Sequence, residues 1–324
     1  MTLLLLNLLH GTIALAWVVA LRRSGAPLAP RTAAGLLTLA VGLPPVVLLA
    51  QRLWPVPDRW AVMRLDLWQE RLGVAGWPLF ASLLLLLAGT SAIFLLQELL
   101  PALRRRRALV GPRVLDSRLE ASAERVWGAV LARTKRPRRD RPRPVVRCLE
   151  VARPLAALSG FLRPEVLVSR GLLAHLDDEE LDGVVAHELA HLLHGGNLWP
   201  LVLWLLRVPQ AASPAALILF RQLMELREAA CDATAAELTR RPAALAAVLL
   251  KLQGRPPPEV GSGWLERARG EVLRRAGVAA TRARVERLLE PQALPARLGT
   301  LLPVAAVLLG ALLWSVGPTR IPAP

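Results

Sequence analysis

Tyrosine is absent from all 324 residues, and lysine occurs only at Lys135 and Lys251. Both shortages read first as genome composition, since arginine codons are GC-rich and tyrosine codons are not. They say little about function. Cysteine is almost absent too. Cys148 and Cys231 stand far apart, which excludes a disulfide framework and fits a reducing compartment for the part that carries them. Acidic residues are scarce beside basic ones, 25 against 41, for a formal charge of +16. Such a balance points to nucleic acid or to a membrane surface. What the chain has in abundance is apolar. Hydrophobic residues make up 54% and the mean hydropathy is +0.40, too apolar for an ordinary soluble domain of this size. In such a chain the arginine excess is read as the positive-inside bias of membrane proteins. No internal repeat is visible.

A bilayer span needs about 20 apolar residues. The stretches 3–21, 33–50, 78–100 and 298–316 are expected to be four spans. The first lacks the basic start of a signal peptide and runs directly into Arg22 and Arg23. Arg22, Arg23 and Arg31 follow the first span, and Arg104 to Arg107 follow the third, so both flanks are expected in the cytoplasm. The N-terminus and the loop 51–77 then lie outside. That loop mixes charges and carries Trp54, Trp60, Trp68 and Trp77, which suits an amphipathic segment at the interface. The expected organisation is an N-terminal membrane region over 1–103, a cytoplasmic domain over 104–297, and a last span with a short tail over 298–324. This describes a multi-pass protein of the inner (plasma) membrane. The apolar stretch 198–220 is broken by Arg207, Gln210 and Pro214. It is expected to be a buried or membrane-surface helix pair rather than a span.

In the cytoplasmic part, Asp116 or Ser117 starts a helix that runs to about Thr134, with Glu120 placed for a capping box with Ser117. The stretch 134–144, TKRPRRDRPRP, has no apolar period and reads as an exposed loop. Contact with anionic lipid headgroups suits it better than nucleic acid. Strand-like runs over 145–151, 155–158 and 166–169, separated by Pro154, Gly160 and Pro164, predict a small and mostly antiparallel sheet. Asp177 then reads as an N-cap with Glu180 behind it, and the helix reaches about His194 before Gly195 and Gly196 stop it. A second long helix is expected from Ser213 and Pro214 to Thr239. Shorter ones follow over 242–253, 264–275 and 278–290.

The chemistry lies on the first of these helices. Positions 187–191 read HELAH. Residues at i and i+4 are about 40° apart around a helix and one turn along it, so His187 and His191 can reach one metal ion. Glu188 stands beside them as a proton acceptor for water at the metal. The flanking Val184, Val185, Ala186, Leu189 and Ala190 would bury the motif, and histidines in a dry setting need partners. Further on, the sequence ELREAACDA places Glu228 and Asp232 on one helix face. Glu228 can complete the ligand set, with Glu225 as a competing carboxylate. Asp232 can orient a ligand histidine and so serve the catalytic machinery. His194 is two turns from His187, about 10.5 Å along the axis, too far to share one ion while the helix continues. Cys231 reads as a packed thiol. This donor set points to zinc and to metal-assisted peptide hydrolysis with Glu188 moving the proton. With no tyrosine present, an oxyanion helper must be His, Arg or a backbone N–H. An exposed sheet edge near 155–158 can take a substrate as an added strand.

The run VSRGLLAHLDDEELDGVVAHELAHLLHGGN over 168–197, followed by REAACDA, resembles the gluzincin membrane peptidases. The order of three spans, protease and one span, together with REAACDA and ARPLAALSGFLRPEVLVS, is similar to the BlaR/MecR-type antirepressor metallopeptidases. VSRGLLAHLDDEEL is similar to the HtpX and CAAX-prenyl-protease branch. The resemblance implies a mainly α membrane protein of about four transmembrane helices, with an α+β zincin-like protease domain built on a small sheet. It implies one zinc ion at His187, His191 and Glu228, with Glu188 catalytic. The expected partners are a protein or peptide substrate, the lipid bilayer and a cytoplasmic repressor-type regulator or damaged protein. BlaR/MecR receptors continue past the last span into a penicillin-binding sensor, whereas about eight residues follow Val316 here, so beta-lactam sensing does not carry over. The rival readings are a catalytically silent membrane scaffold or signalling regulator that keeps the fold, and a membrane-tethered nucleic-acid binder acting through 134–144.

Overall fold

Leucine-rich runs with few side chains that compete for backbone hydrogen bonds favour helix, and the chain is mostly helical with one small sheet. The computed structural model describes residues 2–24, 28–53, 76–96, 109–133, 143–253, 264–290 and 298–314. The elements run in the order α1 (Thr2–Arg23), α2 (Pro30–Leu53), α3 (Gly76–Phe94), β1 (Arg113–Val114), α4 (Ser117–Arg133), β2 (Val145–Leu149), β3 (Ala156–Ser159) and β4 (Glu165–Ser169). There follow α5 (Arg170–Leu173), α6 (Asp178–Leu193), α7 (Leu198–Arg207), α8 (Pro214–Thr239), α9 (Pro242–Gln253), α10 (Trp264–Leu289) and α11 (Leu298–Trp314). The expected interfacial loop, apart from its ends, the arginine cluster at 104–107 and the basic stretch 134–142 lie outside the described residues.

The chain divides into two compact units. The first comprises Met1–Ala108, Pro200–Arg227 and Leu294–Pro324. Here α1, α2 and α11 pack together around Ala14, Val18, Val41, Leu308 and Leu312, and Leu203, Leu219 and Leu223 belong to the same core. Close approach is built in at Gly11, where a Cβ would fall 2.5 Å from Ser213 Oγ. Trp17 Nε1 donates to the Val304 carbonyl at 3.2 Å. The expected helix pair over 198–220 is present as α7 and the start of α8, joined by a 3-10 turn over Val208–Gln210. Its polar breaks are buried rather than exposed. Arg207 donates to the Gln210 carbonyl at 2.5 Å, and Gln210 Nε2 donates to the Val41 carbonyl at 2.9 Å.

Among the described residues, one stretch is by itself long and apolar enough to cross a membrane, the 21 residues of Pro30–Ala50. At 1.5 Å per residue it covers about 31 Å, the depth of a bilayer's hydrocarbon core. The described parts of the other three expected spans are also helical, as α1, α3 and α11, but do not meet that measure over their described side chains. For α11 the reason is length, since its 17 residues rise only about 26 Å.

The second unit comprises Leu109–Trp199 and Glu228–Ala293. Its four strands pair in the order β1-β2-β4-β3. The sheet is mixed, with two of its three pairings antiparallel, as expected, and one parallel. β1/β2 and β3/β4 are antiparallel, but the five-residue ladder between β2 and β4 is parallel. A parallel pair needs a crossover of a dozen or more residues, and the segment between β2 and β4 supplies it while also contributing β3 to the outer edge. α4 and α6 pack on the sheet, and α9 packs on α6 and α10. Leu119, Trp127, Val166, Val168, Val185, Leu189 and Leu245 form the middle of this core.

Two local expectations are corrected. Asp116, not Ser117, caps α4, its Oδ1 accepting from the Leu119 N–H at 3.1 Å. Glu120 is engaged elsewhere, in an ion pair with Arg143. The two helices expected over 264–275 and 278–290 are one, α10. The glycine between them, Gly277, costs only about 1 kcal/mol in a helix, too little to break it.

Candidate metal centre

The site is built on α6. Asp177 accepts from the Glu180 N–H at 2.8 Å, and the Glu180 carboxylate accepts from the Asp177 N–H at 2.9 Å. This capping box satisfies two of the helix's orphan donors, and Glu180 is pinned further by Lys251. The helix stops at His194, its C-cap. Gly195 and Gly196 follow with φ of 98° and 57°, values that favour glycine. Between these ends Val184, Val185, Ala186, Leu189 and Ala190 are buried, which fixes the rotation of the helix and hence the direction of its histidines.

His187 and His191 point their Nε2 atoms at each other, 3.2 Å apart. Glu228, on α8, brings Oε2 to 3.6 Å from His187 Nε2 and Oε1 to 3.7 Å from His191 Nε2. A zinc ion bound tetrahedrally at 2.0–2.1 Å requires donors about 3.3 Å apart. The two imidazole nitrogens sit at that edge length, each histidine has one carboxylate oxygen slightly beyond it, and one ligand atom from each residue lies within 4.8 Å of the other two, so the residues fit a zinc ion. Among the described residues, His187, His191 and Glu228 are the group able to hold a metal, and the competing Glu225 is not in it. Three ligands leave a tetrahedral position open for water or substrate.

The surrounding charges are matched. His187 Nδ1 lies 2.9 Å from Asp232 Oδ1. Asp232 is gripped in turn by Arg284 of α10, with Nε and Nη2 each 2.7 Å from one of its oxygens. Arg284 Nη1 also stands 3.5 Å from Glu228. Burial opposes the charged form of His187, but Asp232 and Glu228 outweigh it and lift its pKa to about 10. Burial likewise works against the charged forms of Glu228 and Asp232. The neighbouring His187 and Arg284 prevail and hold both carboxyls below their usual range. Glu188 goes the other way. It is buried, and burial pushes its carboxyl up, offset in part by His187 and by the Leu158 backbone N–H. A raised carboxyl beside a metal position is suited to taking and returning a proton.

The residues expected from the sequence therefore come together: His187, His191 and Glu228 at one point, Glu188 beside them, Asp232 behind His187. Sequence reasoning missed Arg284. It is one arginine among many, 52 positions from Asp232, and no local pattern marks it. It also missed Asn197, whose side-chain amide donates to the carbonyls of Leu158 and Gly160 at 2.9 and 3.0 Å. Asn197 thereby ties the turn after α6 to the end of edge strand β3.

A small mixed sheet thus carries the helix of the HELAH motif, and a second helix supplies the carboxylate. The chain belongs to the BlaR1 peptidase M56 family, whose model matches residues 80–277. It is also similar to three proteases of the HtpX type. The protease HtpX homolog 1 of Streptomyces coelicolor is 35% identical over 151 residues, covering 36% of this chain and 49% of that protein. The HtpX homolog of Methanothermobacter thermautotrophicus is 35% identical over 133 residues, covering 38% and 44%. That of Methanopyrus kandleri is 30% identical over 151 residues, covering 35% and 48%. The chain spans about half the length of the curated relatives it matches.

Proposed function

We propose that this protein is a membrane-embedded zinc-dependent endopeptidase that cleaves a cytoplasmic or membrane protein, either a repressor-type regulator or a damaged protein. The observation that carries the reading is the convergence of His187, His191 and Glu228 at zinc-ligand spacing, in a chain of a peptidase family. His187, His191 and Glu228 hold the ion. When bound, zinc supplies the Lewis acidity that peptide hydrolysis needs. Glu188 takes a proton from the attacking water and returns it to the leaving amine. Asp232 fixes the orientation of His187 and stabilises its charge distribution. The outer edge of β3 receives the substrate as an added strand, beside the Leu158 carbonyl that Asn197 holds.

In this reading the protease part, 104–297, works in the cytoplasm. It is held by three spans in 1–103 and a fourth in 298–324, with the N-terminus outside the inner membrane. Support comes from the apolar helix Pro30–Ala50 and from the arginine clusters flanking the expected spans.

The test is zinc analysis and casein cleavage of the purified full chain, wild type beside Glu188→Gln. The wild type is expected to carry one zinc per chain and to cleave. Glu188→Gln is expected to keep the zinc and lose cleavage. A wild type that holds no zinc after mild purification would overturn the reading.

A further inference from the structure

Behind His191 runs a line of side chains that the peptidase reading leaves unused. Cys231 Sγ lies 3.4 Å from His191 Nδ1 and 3.6 Å from His194 Nδ1. His194 Nε2 lies 3.2 Å from Thr234 Oγ1. Thr234 in turn donates to the Ala230 carbonyl at 2.9 Å.

One arrangement of protons satisfies every contact in this line. A hydroxyl has a single proton. Thr234 gives its proton to Ala230, so toward His194 it can only accept. His194 must then carry its proton on Nε2, which leaves Nδ1 as a bare lone pair. Cys231 faces that lone pair and can donate its S–H to it. The same sulfur accepts from the other side, where His191 Nδ1 stands. His191 therefore keeps its proton on Nδ1, and its Nε2 is the lone pair. That Nε2 is the atom 3.2 Å from His187 Nε2 and 3.7 Å from Glu228. The chain of bonds points one way, from His191 through Cys231, His194 and Thr234 to a backbone carbonyl.

We propose that Cys231, anchored by His194 and Thr234, is a positioning residue that locks His191 in the tautomer able to bind the metal. This rests on the zinc reading above. Cys231 is fully buried, so the sulfur's own contacts are closed to water. A thiol serves because it both donates and accepts while adding no charge.

The experiment measures the zinc dissociation constant of the full chain in detergent by competition with a chromophoric chelator. Cys231→Ala is expected to bind zinc about 10- to 100-fold more weakly, the usual loss when the partner of a ligand histidine is removed. Cys231→Ser, which restores a donor and an acceptor, is expected to recover most of that loss. The second pair works from the far end of the line. Thr234→Val removes the anchoring hydroxyl at nearly constant shape and is expected to weaken zinc binding, whereas Thr234→Ser is not. Wild-type affinity in both Cys231→Ala and Thr234→Val would overturn the proposal. So would a Cys231→Ser variant no better than Cys231→Ala. A wild type without zinc overturns the peptidase reading as well, whereas a zinc-binding wild type with indifferent variants overturns the tautomer lock alone.

Discussion

His187 and His191 stand one turn apart on one helix, yet the nitrogens they turn away from each other meet opposite surroundings. His187 Nδ1 faces an ion pair, Asp232 at 2.9 Å with Arg284 forked onto the same carboxylate. His191 Nδ1 faces an uncharged thiol at 3.4 Å that leads on to His194. The charged side makes its histidine a stronger base and a stronger proton holder. The neutral side adds no charge and controls only the direction of the proton. One centre thus separates two tasks that a single carboxylate partner usually combines, tuning basicity and fixing the tautomer.

The charged side is the one whose loss should cost most. The Asp232 side chain is only 3% exposed, and Arg284 depends on it. Asp232→Ala leaves a largely buried guanidinium without its forked partner and with only the more distant Glu228, at 3.5 Å, as counter-charge. Removing one partner of a buried pair typically costs about 3–5 kcal/mol. The expected outcome is a fall of that order in urea denaturation, together with zinc affinity about 10- to 100-fold weaker. Asp232→Asn keeps the shape and one acceptor and should lie between. If Asp232→Ala were no more damaging than Cys231→Ala, the contrast between the two sides would fail.

The same contrast was only half legible in the sequence. HELAH and the Glu228–Asp232 pair each lie within one helical turn, so a one-dimensional spacing already states which side chains share a face. The capping box of Asp177 and Glu180 is local in the same way. Arg284 is not, because it reaches Asp232 from a helix whose approach is decided by packing against α9. His194 and Cys231 were visible as residues, but their pairing with His191 depends on how α6 and α8 face each other. The sheet shows the same limit. The strand-like runs were readable from β-branched residues and turns, whereas the parallel pairing of β2 with β4 is a choice of partner across the chain. β1, two residues long, has no pattern to read. The shared outcome is that local geometry was predictable and non-local partnership was not.

Acidity should separate the two sides next. In the metal-free site His187 holds its proton up to about pH 10, because Asp232 and Glu228 outweigh the effect of burial. A metal ligand must be neutral, so zinc has to displace that proton. The metal-free form therefore gains stability as pH falls below the raised pKa, and zinc loses affinity in the same direction. One displaced proton corresponds to about tenfold per pH unit, or about 100-fold between roughly pH 8 and pH 6. Chelator competition across that range should show this slope in the wild type. Asp232→Asn removes the main counter-charge and should flatten it. Cys231→Ser touches no charge and should keep it. A Cys231→Ser slope as flat as that of Asp232→Asn would mean that the two sides are electrostatically coupled after all.

The smallest expected effect supplies the control. Both histidines ride on α6, so weakening the start of that helix should lower the platform without favouring either side. Asp177 caps it through a bond of 2.8 Å to the Glu180 N–H. Loss of a cap of this kind costs about 1 kcal/mol. Asp177→Ala should therefore destabilise the protein by roughly that amount, while the zinc dissociation constant and its pH slope stay at wild-type values. The reason is geometric. The cap lies more than two turns from His187, and the buried Leu181, Val184 and Val185 between them hold the helix rotation by packing. A change in zinc affinity comparable to that of Cys231→Ala would show that helix fraying reaches the ligands. The separate losses seen in the other variants could then no longer be assigned to the two sides of the centre.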